Sequence, residues 1–244
     1  MKKYFLAVAS FFIYSHISLG QVYPGQMDST FVPVRSHHYD PELTFDFCVN
    51  EPAWSNQAGI HSAFGSTDRL YFRKEVPVNH DNDLSSSYST TVWRGERANA
   101  QILVWSSEAL EQVRVSTQDL RSAEGNIIPK DRITFELVRY VLSNYPYAEK
   151  KAICGESPYK SGFLMPDRFE TLDRFDLPSQ TTRPVWMMVD VPRGTVPGTY
   201  KGQVEVRAKG KAPQLLNLEI VVQNQLLPYP KDWKYRLDLS LIHI

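Results

Sequence analysis

The chain has 244 residues, with 27 basic and 27 acidic side chains, 12% aromatics and two cysteines. With no basic stripe there is nothing to hold a phosphate backbone, so nucleic acid is excluded as a partner. The aromatic content suits sheet packing and argues against disorder.

In chain order, the first predicted element is a leader. Lys2 and Lys3 precede an apolar run over 4–14 broken by Ser10, and Ser18 and Gly20 place small residues before a cut at Gln21. That pattern predicts a secretory signal peptide over 1–20 and an exported protein, in the periplasm or outside the cell. The run is about half the length of a membrane span, so no span is predicted. Such a cut leaves 25 basic and 27 acidic residues, a net charge near −2. The 218 residues from 21 to 238 are enough for one large β domain or two small ones.

Residues 21–42 carry Pro24, Gly25, Pro33 and Pro41 without periodicity, which predicts an extended lead-in. From 43 onward period-two alternation dominates. Leu43, Phe45, Phe47 and Val49 share one face of a predicted strand, and 70–76 predicts a second. The polar stretch 77–90 predicts a long surface loop. Further strands are predicted at 92–93, 98–105, 112–117 and 133–142. Residues 143–180, with Pro146, Pro158, Pro166 and Pro178, predict an excursion holding one helical turn in 167–174.

Regularity returns at 184–191 (PVWMMVDV). Pro197 and Gly198 then signal a turn. Beyond it Tyr200, Val204, Val206 and Ala208 share one face, and Leu216, Leu218, Ile220 and Val222 form the facing row. This predicts a hairpin with one buried and one wet face. About nine strands without a helical pattern predict an all-β antiparallel β-sandwich over 43–225. Residues 226–238, with Pro228 and Pro230, predict a stiff linker. Alternation over 235–239 predicts the start of a further domain. The closing LSLIHI, 239–244, resembles the translation of a sequencing adapter and is expected to be a non-native tail, with the native protein continuing past Asp238.

Cys48 and Cys154 lie 106 residues apart, which is no metal-ligand spacing; in an oxidising compartment they either pair or stay as small buried thiols. No metal and no cofactor are predicted. His37, His38 and Asp40 sit in the lead-in, and His61 and His80 lack supporting spacing. Asp167, Glu170, Asp173 and Asp176 offer the paired carboxylates a glycosidase uses, but Arg168 and Arg174 alternate with them and favour a salt-linked loop. The densest functional stretch is WRGERANAQ, 93–101, where Trp93, Arg94, Glu96 and Arg97 offer an aromatic face and hydrogen-bonding groups to a sugar. The structural alternative is a turn into a strand, with Trp93 buried and Glu96 paired to an arginine.

Taken together, WRGERANAQ at 93–101, FELVRYV at 135–141, TTRPVWMMVDVP at 181–192, PGTYKG at 197–202 and LLPYPKDWKYRLDL at 226–239 resemble glycoside hydrolase family 123. The resemblance covers roughly 54–239 and points to the N-terminal sandwich of those bacterial enzymes. It implies a following (β/α)₈ barrel as the chain's own partner, hydrolysis of β-linked N-acetylgalactosamine, and a substrate-assisted mechanism using an adjacent Asp-Glu pair in the barrel. No Asp-Glu dipeptide occurs in this chain, so no catalytic residue is assigned. The expected role is a non-catalytic scaffold; the alternative is a stand-alone carbohydrate-binding or surface-adhesion module.

Overall fold

The computed structural model describes residues 54–77, 84–143 and 163–233. The predicted leader, the lead-in, the 43–49 strand, Cys48, Cys154 and the 239–244 tail lie outside the described residues. Among those described, twelve strands and two 3-10 turns are formed. The strands are β1 His61–Gly65, β2 Ser87–Arg94, β3 Arg97–Ser106, β4 Leu110–Thr117, β5 Leu120–Arg121, β6 Ile127–Ile128, β7 Ile133–Ser143, β8 Phe163–Glu170, β9 Phe175–Leu177, β10 Thr181–Asp190, β11 Gly198–Arg207 and β12 Gln214–Leu226.

They form two open sheets. Sheet one runs β1-β3-β10-β7-β8 and is antiparallel throughout. Sheet two runs β2-β12-β11-β4-β9, with β5 and β6 attached beside β11. Its β2–β12 pair is the parallel exception. This is an all-β, mostly antiparallel arrangement of the β-sandwich kind, as the alternation predicted.

One core joins the two sheets. Sheet one contributes Ala98, Ala100, Ile102 and Val104 of β3, Val185, Met187 and Val189 of β10, and Ile133 and Leu137 of β7. Sheet two answers with Tyr200, Val204 and Val206 of β11 and Leu216, Leu218, Ile220 and Val222 of β12. These are the two rows the hairpin pattern assigned to the buried side. The opposite face carries the Lys201–Glu219 ion pair at 3.0 Å, open to water. A second cluster lies on the outer face of sheet one, where Trp54, Tyr71 and Val76 cover Ala63, Leu103 and Trp105.

Three local expectations fail. Residues 70–76 form no strand; Tyr71 and Val76 are apolar because they pack onto the outer face of β3. The predicted loop over 77–90 ends early, since β2 begins at Ser87. Its polar Ser/Thr run fits an edge strand, paired on one side by β12. The predicted helical turn in 167–174 is absent: 171–174 form no helix, and its first half is the end of strand β8. Pro166 is tolerated there because β8 is also an edge, and it falls at the register shift between Arg139 and Tyr140.

Ile220 is fully buried whereas Leu215, on the same strand, is 53% exposed. Ile220→Ala is expected to cost about 2–5 kcal/mol in urea unfolding, and Leu215→Ala less than about 0.5 kcal/mol. Similar costs for both would contradict the assigned faces. Tyr200 is buried with its hydroxyl donating to the Val196 carbonyl at 2.7 Å. Burial first, and the charge of Glu124 second, raise its pKa. The unfolded phenol ionises near pH 10, below the folded one. Stability from this group is therefore full below that pH and declines as pH rises through the folded value. Alkaline melts should show that decline shrinking in Tyr200→Phe.

Candidate functional site

β2 lies in sheet two and β3 in sheet one, so Arg94, Gly95, Glu96 and Arg97 carry the chain across the end of the sandwich. Gly95 has φ +84, a left-handed value that favours glycine. Its N–H donates to the Val191 carbonyl at 3.0 Å, and the Val191 N–H donates to the Glu96 carbonyl at 3.0 Å. These bonds pin the corner to the segment leaving β10. Glu96 Oε2 accepts the Trp93 N–H at 2.7 Å.

The exit segment after β12 rests on this corner. Arg94 Nε donates to the Asn224 carbonyl at 3.1 Å, and its own carbonyl accepts the Leu227 N–H at 2.9 Å. Arg193 Nη1 donates to the Leu227 carbonyl at 2.5 Å, and its guanidinium lies 3.9 Å from the centre of the Tyr229 ring. A 3-10 turn, Pro230–Asp232, follows, and Trp233 Nε1 donates back to the Pro228 carbonyl at 3.1 Å. Trp93, Leu226, Tyr229 and Trp233 keep large apolar surfaces exposed.

A second surface lies on the outer face of sheet one, beyond the part that residues 54–77 cover. Register places Arg97 beside Asp190, Asn99 beside Met188, and Trp186 beside Glu136. Arg97 and Asp190 form a two-bond ion pair at 2.6 and 2.9 Å, which raises the arginine's pKa further. Trp186 Nε1 donates to Asn99 Oδ1 at 3.2 Å, and its ring packs on Phe169 with centroids 5.7 Å apart.

A third feature is an open groove of about 530 Å³ between the sheets at the β4 and β7 side. Ile133, Phe135, Val115 and Leu172 line it together with Lys130, Asp131, Arg114 and Asp173. Arg114 and Asp173 already pair at 2.8 Å.

The family model of the glycoside hydrolase 123 N-terminal domain matches residues 64–208. The chain belongs to this family. The match takes in the corner, the outer face of sheet one and the groove, and ends just after β11. A family 123 glycoside hydrolase from Clostridium perfringens, studied for glycolipid glycan hydrolysis, shares the fold with TM-score 0.60 and 21% identity. The alignment covers 72% of this chain and 29% of that one, so the chain spans under a third of its length. The periplasmic chaperone SfaE gives TM-score 0.30 at 10% identity over 60% of this chain and 59% of its own. The PapD-like domain 7 of human CEP192 gives 0.29 at 12% identity over 57% and 82% respectively. No curated protein matches the chain by sequence.

Within this family 123 domain, the residues singled out in WRGERANAQ separate. Arg94 and Glu96 bind backbone at the corner, and Arg97 sits on the outer face of sheet one. Trp93 is 41% exposed rather than buried, and Glu96 caps the Trp93 N–H instead of pairing with an arginine. Of the four candidate acids, Asp167 is exposed on β8, and the other three have structural partners. Glu170 pairs with buried Arg139, Asp173 with Arg114, and Asp176 Oδ1 accepts the Gln112 N–H at 2.8 Å. His61 stacks on Trp105 with ring centres 5.6 Å apart. Among the described residues, no group of three or more His, Cys, Asp or Glu side chains stands close enough to hold a metal. No helix of the described residues is long and apolar enough to cross a membrane. Sequence reasoning singled out neither Arg193 nor Phe169 and held Asn99 only as part of 93–101; for Trp186 the apolar-polar mix at 184–191 was the available signal, but it does not say which sheet face stays bare.

A Cβ at Gly95 would stand 2.9 Å from Arg193 Cγ, on a backbone already at φ +84. Gly95→Ala is expected to destabilise by about 1–2 kcal/mol in urea. Arg193→Ala should leave the sandwich folded but speed tryptic cutting at Lys231 by about fivefold, since a cation–π contact is worth about 1 kcal/mol. Unchanged cutting would show that Arg193 does not hold the exit segment.

Proposed function

We propose that this chain is the non-catalytic N-terminal scaffold of an exported glycoside hydrolase acting on β-linked N-acetylgalactosamine glycans. The observation that carries this is the family match over 64–208. The packing of 226–233 against the corner supports it. A segment held by Arg94 and Arg193 leaves the sandwich in a fixed direction, and a domain that follows would inherit its orientation. Catalysis would then belong to a (β/α)₈ barrel, at the C-terminal ends of its strands, with the sandwich supporting the barrel's position. Three of the four candidate acids, Glu170, Asp173 and Asp176, favour this division of labour, because each has a structural partner on the sandwich. The leader pattern over 1–20 supports export to the periplasm or beyond.

Two measurements test the reading. Reading the gene past the codon for Asp238 is expected to give a further open frame of barrel length containing an adjacent Asp-Glu pair. The longer product should release N-acetylgalactosamine from a β-linked aryl glycoside, and residues 21–238 alone should not. Hydrolysis by 21–238 alone, abolished by Asp173→Asn, would overturn the scaffold role.

A further inference from the structure

The outer face of sheet one is half sealed and half bare. Residues 54–77 cover Leu103 and Trp105 at one end of β3, while Arg97 and Asn99 at the other end stay exposed. We propose that the bare half is a glycan-contact surface, with Trp186 and Phe169 as the stacking platform for one pyranose of a neutral β-linked N-acetylhexosamine glycan. This goes beyond the scaffold role. Only the choice of sugar rests on that reading; the platform does not.

The aromatic pair supplies the apolar part. Phe169 is 52% exposed on the edge strand β8, and Trp186 lies half-buried beside it on β10. A sugar's C–H face is apolar and flat enough to lie on such rings, and it buries area without asking for charge. The platform is also pre-set. The indole N–H is fixed by Asn99, so little side-chain freedom is lost when a ligand arrives.

The rim supplies directed hydrogen bonds. The Asn99 amide N–H groups have no protein partner among the described residues, while its Oδ1 is taken by Trp186. The Glu136 carboxylate accepts the Thr171 hydroxyl at 3.0 and 2.9 Å. A carboxylate has about four lone-pair sites, so acceptors remain for sugar hydroxyls. Charge argues for an uncharged ligand. Arg97 and Asp190 neutralise each other, which leaves Glu136 as the surplus and gives a polyanion nothing to hold. The same layout disfavours a permanent domain interface, whose core is depleted of charged groups. Here an ion pair and a carboxylate frame two rings and one methionine.

The experiment uses the full chain and methyl 2-acetamido-2-deoxy-β-galactopyranoside, read by saturation-transfer NMR and tryptophan fluorescence. The expected affinity is on the order of 1 mM, with transfer strongest to the protons of one sugar face. Phe169→Ala and Asn99→Ala should each weaken binding about fivefold or more with the melting temperature retained. Trp93→Ala, exposed on strand β2 of sheet two, should bind as wild type. No binding up to about 20 mM, or equal affinity in Phe169→Ala, overturns the proposal. A single-cysteine probe, Phe169→Cys with Cys48→Ser and Cys154→Ser, separates the remaining alternative. If a thiol reagent labels it in this chain but not in a longer product carrying the barrel, the face is a domain interface and the proposal fails. Labelling in both supports it. Neither result bears on whether the longer product hydrolyses the aryl glycoside.

Discussion

Strand β3 buries one face along its whole length and the other along half of it, and most of the molecule follows from that asymmetry. Its even-numbered residues, Ala98 to Val104, meet sheet two in the main core. Its odd-numbered residues begin exposed at Arg97 and Asn99 and end sealed at Leu103 and Trp105. Gln101 stands at the boundary. Its Nε2 donates to the carbonyls of Ser66 and Arg69 at 2.7 and 3.2 Å, a polar anchor inside an apolar cover. A buried amide is tolerated only when it is satisfied in this way. Trp105 Nε1 donates to Gln57 Oε1 at 2.8 Å and ties down the other end of the cover. The sealed half keeps sheet one from exposing a full apolar face. The bare half is the surface proposed above for a glycan.

The irregular positions each have a local cause. β10 lies between β3 and β7, an unfavourable place for Pro184, which has no N–H to give. The regular β7 ladder begins only at Val185. The Val138 carbonyl, opposite Pro184 if the register continued, instead accepts Arg183 Nη1 at 3.2 Å. The same guanidinium lies 4.9 Å from the Tyr140 ring centre. Gln112, at φ +52, sits in the bulge between Leu110 and Val113, where Asp176 accepts its N–H. An acid from the set that the sequence weighed as paired carboxylates, and favoured as part of a salt-linked loop, thus holds a strained backbone turn.

The corner before β3 joins the two sheets to the exit segment. It moves the chain from one sheet to the other, closes on Val191, and receives the exit segment through Arg94 and Arg193. Cation–π contacts and backbone bonds of this kind restrain direction more than they add stability. A family 123 N-terminal domain that positions a following domain would have its orienting contacts here, at the foot of the same strand that carries the proposed glycan surface.

The sequence determined the strand class, the family and the buried rows of the β11–β12 hairpin, because period-two alternation records which face meets the core. It also marked 93–101 as unusual, but not why. Assigning Arg94 and Glu96 to a backbone corner and Arg97 to a sheet face required knowing that β2 and β3 belong to different sheets. It read 70–76 as a strand because a cover segment and a strand bury the same apolar residues. Alternation says that a side chain points to one face of a sheet; it cannot say what lies over that face. Only the tertiary structure decided that Leu103 is covered, that Asn99 and Trp186 are not, and which partners Glu170, Asp173 and Asp176 take.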